Sequence, residues 1–349
     1  MKGSVIALDR YKGRLAAAHI VDGRLEDLLI EPPDDVTLPG AIFRAICDRP
    51  LKGQGGMMLR LPDGETAFLR QGKGLKPGQP VLVQVTGFAE DGKAVPVAQK
   101  LLFKSRFAIV TPDAPGINVS RAIRDDEERV RLLEIAHEVM EGAEEGLILR
   151  SVAVTGTDDE IADDIAQMLQ LSRTVRADGD GQGQATELLL DGADPHHQAW
   201  REWPTPDQLD QDAGAFDRHG VTDMIADLAH ARVPLSGAAF AFVEPTRAFV
   251  AVDVNTGGDT SPAAGLKANI ATAQALPRAL RCRGLGGQIV VDFAPSPKKD
   301  RRQIEQALRK AFRADGIETS LVGWTTLGNF ELQRKRERMS LSACLKDLT

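Results

Sequence analysis

Two aspartates in this sequence stand where carboxylates can do chemistry. Asp253 closes the apolar run Ala248–Val252 and is followed by Asn255 and a Gly257-Gly258 turn, and Asp292 closes the apolar run Gly286–Val291. Carboxylates at the ends of buried strands converge at the rim of one sheet, where α/β folds collect their active sites. The two positions lie 39 residues apart, room for one crossover helix between neighbouring strands. A pair of hard oxygen ligands with positions left for water suits Mg2+, and such an ion lowers the pKa of bound water and neutralises a phosphate. The competing reading is that each aspartate caps the helix after its strand. No histidine is placed to act as a base: His196-His197 is expected in a polar loop and His137 on a helix.

The elements around these residues alternate. From about residue 240, FAFVEPTRAFVAVDVN reads as two strands meeting at Glu244-Pro245. GLKANIATAQALPRALRCR reads as a long helix that Pro277 kinks or ends. GGQIVVDF is of buried-strand type. KKDRRQIEQALRKAFRADG is a basic helix, TSLVGWTT a strand, and FELQRKRER the start of a last helix. Such alternation indicates an α/β sheet or sandwich. Residues 1–30 read as a strand pair turning at Gly23. Five short strands with turns at PDGE, KPGQ and EDGK fill 37–103, which suits a small barrel, most economically an OB-fold. A strand and loop, the amphipathic helix DDEERVRLLEIAHEVM, the strand GLILRSVAV and the helix DDEIADDIAQMLQL follow, and RADGDGQGQA is a flexible linker.

At 349 residues the length prior is about two to three domains, and 42% hydrophobic with 27% charged residues fits an ordinary globular chain. Three scattered cysteines, Cys47, Cys282 and Cys344, form no CxxC pair, which speaks against a disulfide framework or zinc site and for a reducing compartment. No apolar run reaches the roughly 18 residues of a membrane span. The N-terminus has no apolar signal core, so the expected location is cytoplasmic. The net charge of −7 does not itself point to nucleic acid. Base is nonetheless concentrated over 278–313 and 334–338, where Lys298, Lys299 and Arg334 are candidate RNA contacts and a solvated helix face is the alternative.

The run AFVAVDVNTGGDT…LKANIATAQALPRALRCRGLGGQIVVDF resembles the catalytic region of the RNase E/G endoribonucleases. The family pattern D-x-N-[ST], N-x-x-A and [RL]-G-G-x-I-V-x-D-F is met by Asp253, Asn255, Thr256, Asn269, Ala273, Leu285-Gly286-Gly287, Ile289-Val290 and Asp292-Phe293. The likeness is strong over about 240–345, weaker over 1–155 and poor over 156–235, where the chain is shorter than the family. The resemblance implies a multi-domain α/β protein. An RNase H-like domain (1–36 and 156–238) would carry an inserted OB-fold RNA-binding barrel (37–103) and a 5′-sensor region (104–155), followed by a DNase I-like catalytic domain (239–349). It implies Mg2+, with Mn2+ as a substitute, on Asp253 and Asp292, and Asn255 orienting one carboxylate and the attacking water. Phe68 matches a base-stacking phenylalanine, Lys93 a basic RNA contact, and Arg150-Ser151 a pocket for an RNA 5′-monophosphate.

Two family features are missing. No CPxC zinc link is present, so no structural zinc and a monomer or weak homodimer are expected. Thr325-Thr326-Leu327-Gly328 stands where the family often has S-R-F-G, removing one arginine. The implied activity is Mg2+-dependent hydrolysis of single-stranded RNA, in rRNA or mRNA processing or decay, to 5′-phosphate and 3′-hydroxyl ends. The alternatives are a non-catalytic RNA-binding protein and a metal phosphodiesterase acting on DNA.

Overall fold

The computed structural model describes residues 3–51, 53, 55–90, 92–179 and 185–348. The chain divides into two compact units, Met1–Asp34 with Thr205–Thr349, and Asp35–Pro204.

The first unit opens with three antiparallel strands, β1 (Ser4–Tyr11), β2 (Arg14–Val21) and β3 (Arg24–Ile30), one more than the strand pair expected. The third forms because Leu25, Leu28 and Leu29 are buried against the alanine-rich β2.

The second unit begins with β4 (Ile42–Leu51), β5 (Gly56–Arg60), β6 (Thr66–Leu69), β7 (Pro80–Val85) and β8 (Val95–Ala98). Their order is β4-β5-β6-β8-β7, with β7 pairing back onto β4 to close a five-stranded barrel and β6 parallel to β8. Period-2 alternation sends Phe43, Ala45, Cys47, Leu59, Ala67, Leu69, Val83 and Val97 inward. Next come β9 (Phe103–Lys104), β10 (Ala108–Thr111), β11 (Gly116–Val119), α1 (Asp126–Val139) and β12 (Gly146–Leu149), in a sheet ordered β11-β12-β10-β9. The Asp125 side chain caps α1 by accepting from the backbone N–H of Glu128. Then follow α2 (Asp158–Gly179), β13 (Glu187–Leu190) and α3 (Pro195–Glu202).

Residues 158–202, expected with the first domain, pack within the second unit instead. The apolar stripe of α2 (Ile161, Ile165, Leu169, Val175) is buried in one core with β10 and β12, and β13 hydrogen-bonds to β4. α2 runs on to Gly179, four residues into the expected linker, of which residues 180–184 lie outside the described residues. His196 and His197, expected in a loop, begin α3, which Asp194 caps and Pro195 starts.

At Thr205 the chain returns to the first unit. β14 (Gln208–Asp210) pairs parallel with β1, and α4 (Ala215–Arg218) and α5 (Val221–Leu228) cover that sheet, ordered β14-β1-β2-β3. The remaining elements are β15 (Arg232–Pro234), β16 (Phe240–Pro245), β17 (Val250–Asn255), α6 (Pro262–Cys282), β18 (Gly287–Asp292), α7 (Arg301–Ala314), β19 (Thr319–Trp324), β20 (Phe330–Arg334) and α8 (Leu341–Cys344). They build a six-stranded sheet ordered β15-β16-β17-β18-β20-β19. Its core holds Val243, Val252, Ile289, Val291 and Leu332 together with Ala273 and Leu280 of α6 and Ile304 and Leu308 of α7.

Of the two outcomes expected at Pro277, the helix end does not occur: α6 runs through it, with Pro277 itself buried. FELQRKRER does not start a helix. Phe330–Arg334 is a strand, because Phe330, Leu332 and Arg334 alternate inward and the segment pairs with both β18 and β19.

That alternation places Arg334 inside. It is 1% exposed, forms an ion pair with Asp315 at 2.6 Å and donates to Thr319 Oγ1 at 2.9 Å, so it is no RNA contact. Asp315 also pairs with Arg281. Removing one partner of such a buried set leaves charge without compensation. We expect Asp315→Ala to lower the unfolding free energy by about 3–5 kcal/mol, measured by urea denaturation, and a paired Asp315→Leu/Arg334→Met change to cost less.

Candidate active site

β17 and β18 run parallel and in register, Val250 opposite Ile289 through to Asp253 opposite Asp292. Partnered residues share a face, so the two carboxylates stand side by side. Val252, Val254 and Val291 alternate with them into the core, and both aspartates are exposed. The start of β18 permits little else. Gly287 has φ +90, and a Cβ at Gly286 would meet the Lys335 carbonyl oxygen at 2.8 Å.

Neighbours hold the pair in place. Asn255 Nδ2 donates to Asp253 Oδ2 at 2.7 Å, a bond that restrains that carboxylate. Asn269, fully buried on α6, clamps the backbone just past Asp292: its Nδ2 donates to the Ala294 carbonyl and its Oδ1 accepts from the Ala294 N–H, each at 2.9 Å. Neither aspartate simply caps a helix: Ser261 caps α6, and α7 begins beyond the 3₁₀ turn Lys298–Asp300. The donor set is oxygen throughout, with two carboxylates and no cluster of three acidic, His or Cys groups among the described residues. This fits Mg2+, which takes one or two carboxylates and fills its other positions with water and phosphate oxygens.

Lys298 and Lys299 are exposed on that turn and make no ion pair among the described residues. At the Thr325–Asn329 turn, Leu327 is 91% exposed, and the Arg301 guanidinium lies over the nearby Trp324 ring at 4.4 Å.

In the second unit, Phe68 points out of the barrel. It belongs to no buried cluster, sits opposite Met58 and Pro96, and occupies the space a Cβ at Gly56 would fill. Lys93 is exposed and pairs with Glu90 of its own turn at 2.7 Å. Ser151 is exposed at the start of a 3₁₀ turn.

Arg150 does not offer a free guanidinium. Nη1 donates to the carbonyls of Ser105, Arg106 and Arg201, and Nη2 pairs with Glu202 at 2.7 Å. A phosphate would have to displace these partners, so the 5′-monophosphate role is not favoured by this arrangement. Burial alone would raise the Glu202 carboxyl, but Lys104, Arg150 and Arg201 together hold it at about 2. A depressed carboxyl stabilises the fold above its ordinary value of 4.5 and loses that contribution as pH falls toward about 2. Glu202→Gln is therefore expected to be less stable than wild type at neutral pH, with the two unfolding midpoints converging as pH drops through that window.

Residues that the sequence does not single out share the face of Asp253 and Asp292. Phe242 lies directly opposite Asp253 and Arg232 opposite Phe242, so Arg232, Phe242, Asp253 and Asp292 form one row across four strands. The F-x-F spacing of Phe240 and Phe242 was the available signal.

The model of the Ribonuclease E/G family matches residues 103–211 and 205–337. Ribonuclease G of Salmonella typhimurium (strain SL1344) and of Escherichia coli (strain K12) are each 25% identical to this chain over 390 residues, covering 94% of it and 79% of the relative. Those 390 aligned positions exceed the 349 residues present here, so the relatives carry insertions. Ribonuclease E of Nostoc sp. (strain PCC 7120) is 27% identical over 305 residues, 76% of this chain and 44% of the relative. With the in-register carboxylates of Asp253 and Asp292 inside the matched region, this chain belongs to the Ribonuclease E/G family.

Proposed function

We propose that the chain is a Mg2+-dependent endoribonuclease that hydrolyses single-stranded RNA to 5′-phosphate and 3′-hydroxyl ends. The observation that carries this reading is the in-register pair Asp253 and Asp292, with Asn255 bonded to the first. Its other support is membership of a family whose matched relatives are named ribonucleases. On this reading the sheet β14-β1-β2-β3 is the RNase H-like part, the closed barrel an OB-type RNA-binding module, and the six-stranded sheet the DNase I-like catalytic part.

Asp253 and Asp292 would each offer an anionic oxygen to such an ion. When bound, Mg2+ (or Mn2+) would supply an activated water and neutralise the phosphate. Asn255 keeps Asp253 in the orientation that serves this, and Asn269 holds the backbone that carries Asp292. Lys298 and Lys299 bring positive charge to the RNA backbone, since they follow Asp292 on an exposed turn. Phe68 gives the barrel a ring for one base, worth about 1–3 kcal/mol of stacking.

An amide at either aspartate keeps the size and loses the charge, so Asp253→Asn and Asp292→Asn are expected to abolish cleavage while RNA affinity, which comes from basic and aromatic residues, stays near wild type. Asn255→Ala is expected to slow cleavage less, because it orients a ligand rather than being one. A gel-shift paired with a cleavage time course of 5′-labelled RNA at millimolar Mg2+ reads both. An aspartate variant that cuts at the wild-type rate contradicts the site. Wild type that binds RNA and never cuts it under any divalent metal identifies a binding protein instead.

A further inference from the structure

The face that carries Asp253 and Asp292 also carries two rings with no task so far. Phe240 and Phe242 alternate with the buried Ala241 and Val243, so they point away from the core shared with α6 and α7. Both are partly exposed and meet edge to face with centroids 5.4 Å apart. The Arg232 guanidinium lies 4.3 Å above the Phe240 ring and makes no ion pair among the described residues. The solvent face of a sheet ordinarily carries polar side chains, so two adjacent, partly exposed rings beside a carboxylate pair call for a partner.

The register adds a second observation. Phe240 stands opposite Asn255, Phe242 opposite Asp253, and Arg232 opposite Phe242. Adjacent strands lie about 4.8 Å apart, so the Phe242 ring starts one strand from the carboxylate pair and Arg232 springs from a strand roughly 10 Å away. The order across the sheet is cation, ring, carboxylate, carboxylate.

We propose that Phe242 and Phe240 form a stacking platform for the nucleobase beside the scissile phosphodiester, with Arg232 receiving the neighbouring phosphate. This rests on the ribonuclease reading above and says how RNA lies on the catalytic face. The alternation of anionic phosphate and flat base along a single strand matches the alternation of charge and ring along the row. Stacking accepts any base because every base has a π-face, and a guanidinium suits phosphate by its planar fork of donors. A purely apolar partner would cover Arg232 and both aspartates without compensating their charge. A base that lies on these rings is unpaired, so the platform selects single strands at the cleavage position.

The test uses the full chain in EDTA, where bound RNA is not cut, and a single-stranded RNA decamer carrying one 2-aminopurine at successive positions. Wild type is expected to quench the probe sharply at one position. Phe242→Leu is expected to lose that quenching and weaken binding at least about fivefold, the lower end for one lost stack, whereas Phe242→Trp keeps both. Arg232→Ala is expected to reduce the slope of log affinity against log salt by about one. If Phe242→Leu does not fold, Phe240→Leu and Phe240→Trp read the same contrast. Wild-type affinity and quenching in a folded Leu variant overturn the platform, as does a changed native mass with unaltered RNA affinity, which assigns the rings to self-contact. Wild type that neither binds nor cuts RNA overturns the ribonuclease reading and the platform with it. Wild type that cuts RNA alongside an indistinguishable Leu variant overturns the platform alone.

Discussion

The parallel register of β17 on β18 is the constraint from which the face carrying Asp253 and Asp292 follows. Four residue pairs set it, and the last brings Asp253 beside Asp292. Because side chains alternate along a strand, a slip of one residue would send the carboxylates into the core and Val252 or Val291 into water. The buried Val250, Val252 and Val254 of one strand and Ile289 and Val291 of the other forbid that slip, so the hydrophobic core specifies the polar pair. The same register carries outward through β16 and β15 and places Phe242 and Arg232 in line with the acids.

A second constraint acts at the other end of the same sheet. Asp315 lies between Arg281 and Arg334, and Asp27 of β3 lies against Arg281 and Arg338. Asp315 and Arg334 have almost wholly buried side chains, Asp27, Arg281 and Arg338 are mostly buried, and each charge is tolerable there only because its partners are present. The network ties the N-terminal strands to the end of α6 and to the segment after β20. This gives the physical reason that the first 34 residues and the last 145 form one unit despite their distance in sequence. The thiols nearby are inert: burial pushes Cys282 up to about 12 and Cys344 to about 11, so both stay protonated.

The basic residues separate into two kinds once burial is known. Arg150 and Arg334 spend their donors on carbonyls and carboxylates within the fold. Lys298, Lys299 and Arg232 keep theirs outward. In the sequence Arg150, Arg334, Lys298 and Lys299 are alike positive residues near candidate sites, and nothing marks Arg232. Only the density of acceptors around a guanidinium distinguishes a fold-holding arginine from one that meets phosphate, and that density is a property of packing.

The sequence by itself determined that Asp253 and Asp292 lie on buried strands, the alternation of strands and helices beyond residue 240, and the five short strands that close into a barrel. Each is encoded locally, by a period of two, by glycine turns or by a run of branched apolar residues. It also carried the D-x-N pattern whose asparagine bonds to Asp253, a contact spanning two residues. The tertiary structure decided everything that depends on distant partners. α2 and β13 joined the second unit because a core and a strand edge there accept them. Phe330–Arg334 became a strand because β18 and β19 both offer hydrogen bonds to a segment whose charge resembles a helix face. Pro277 stayed within α6 and is buried, although proline alone signals a break. Local sequence limits the backbone to a few conformations of similar free energy. Long-range burial and strand pairing choose among them wherever they stabilise one by more than the local preferences differ.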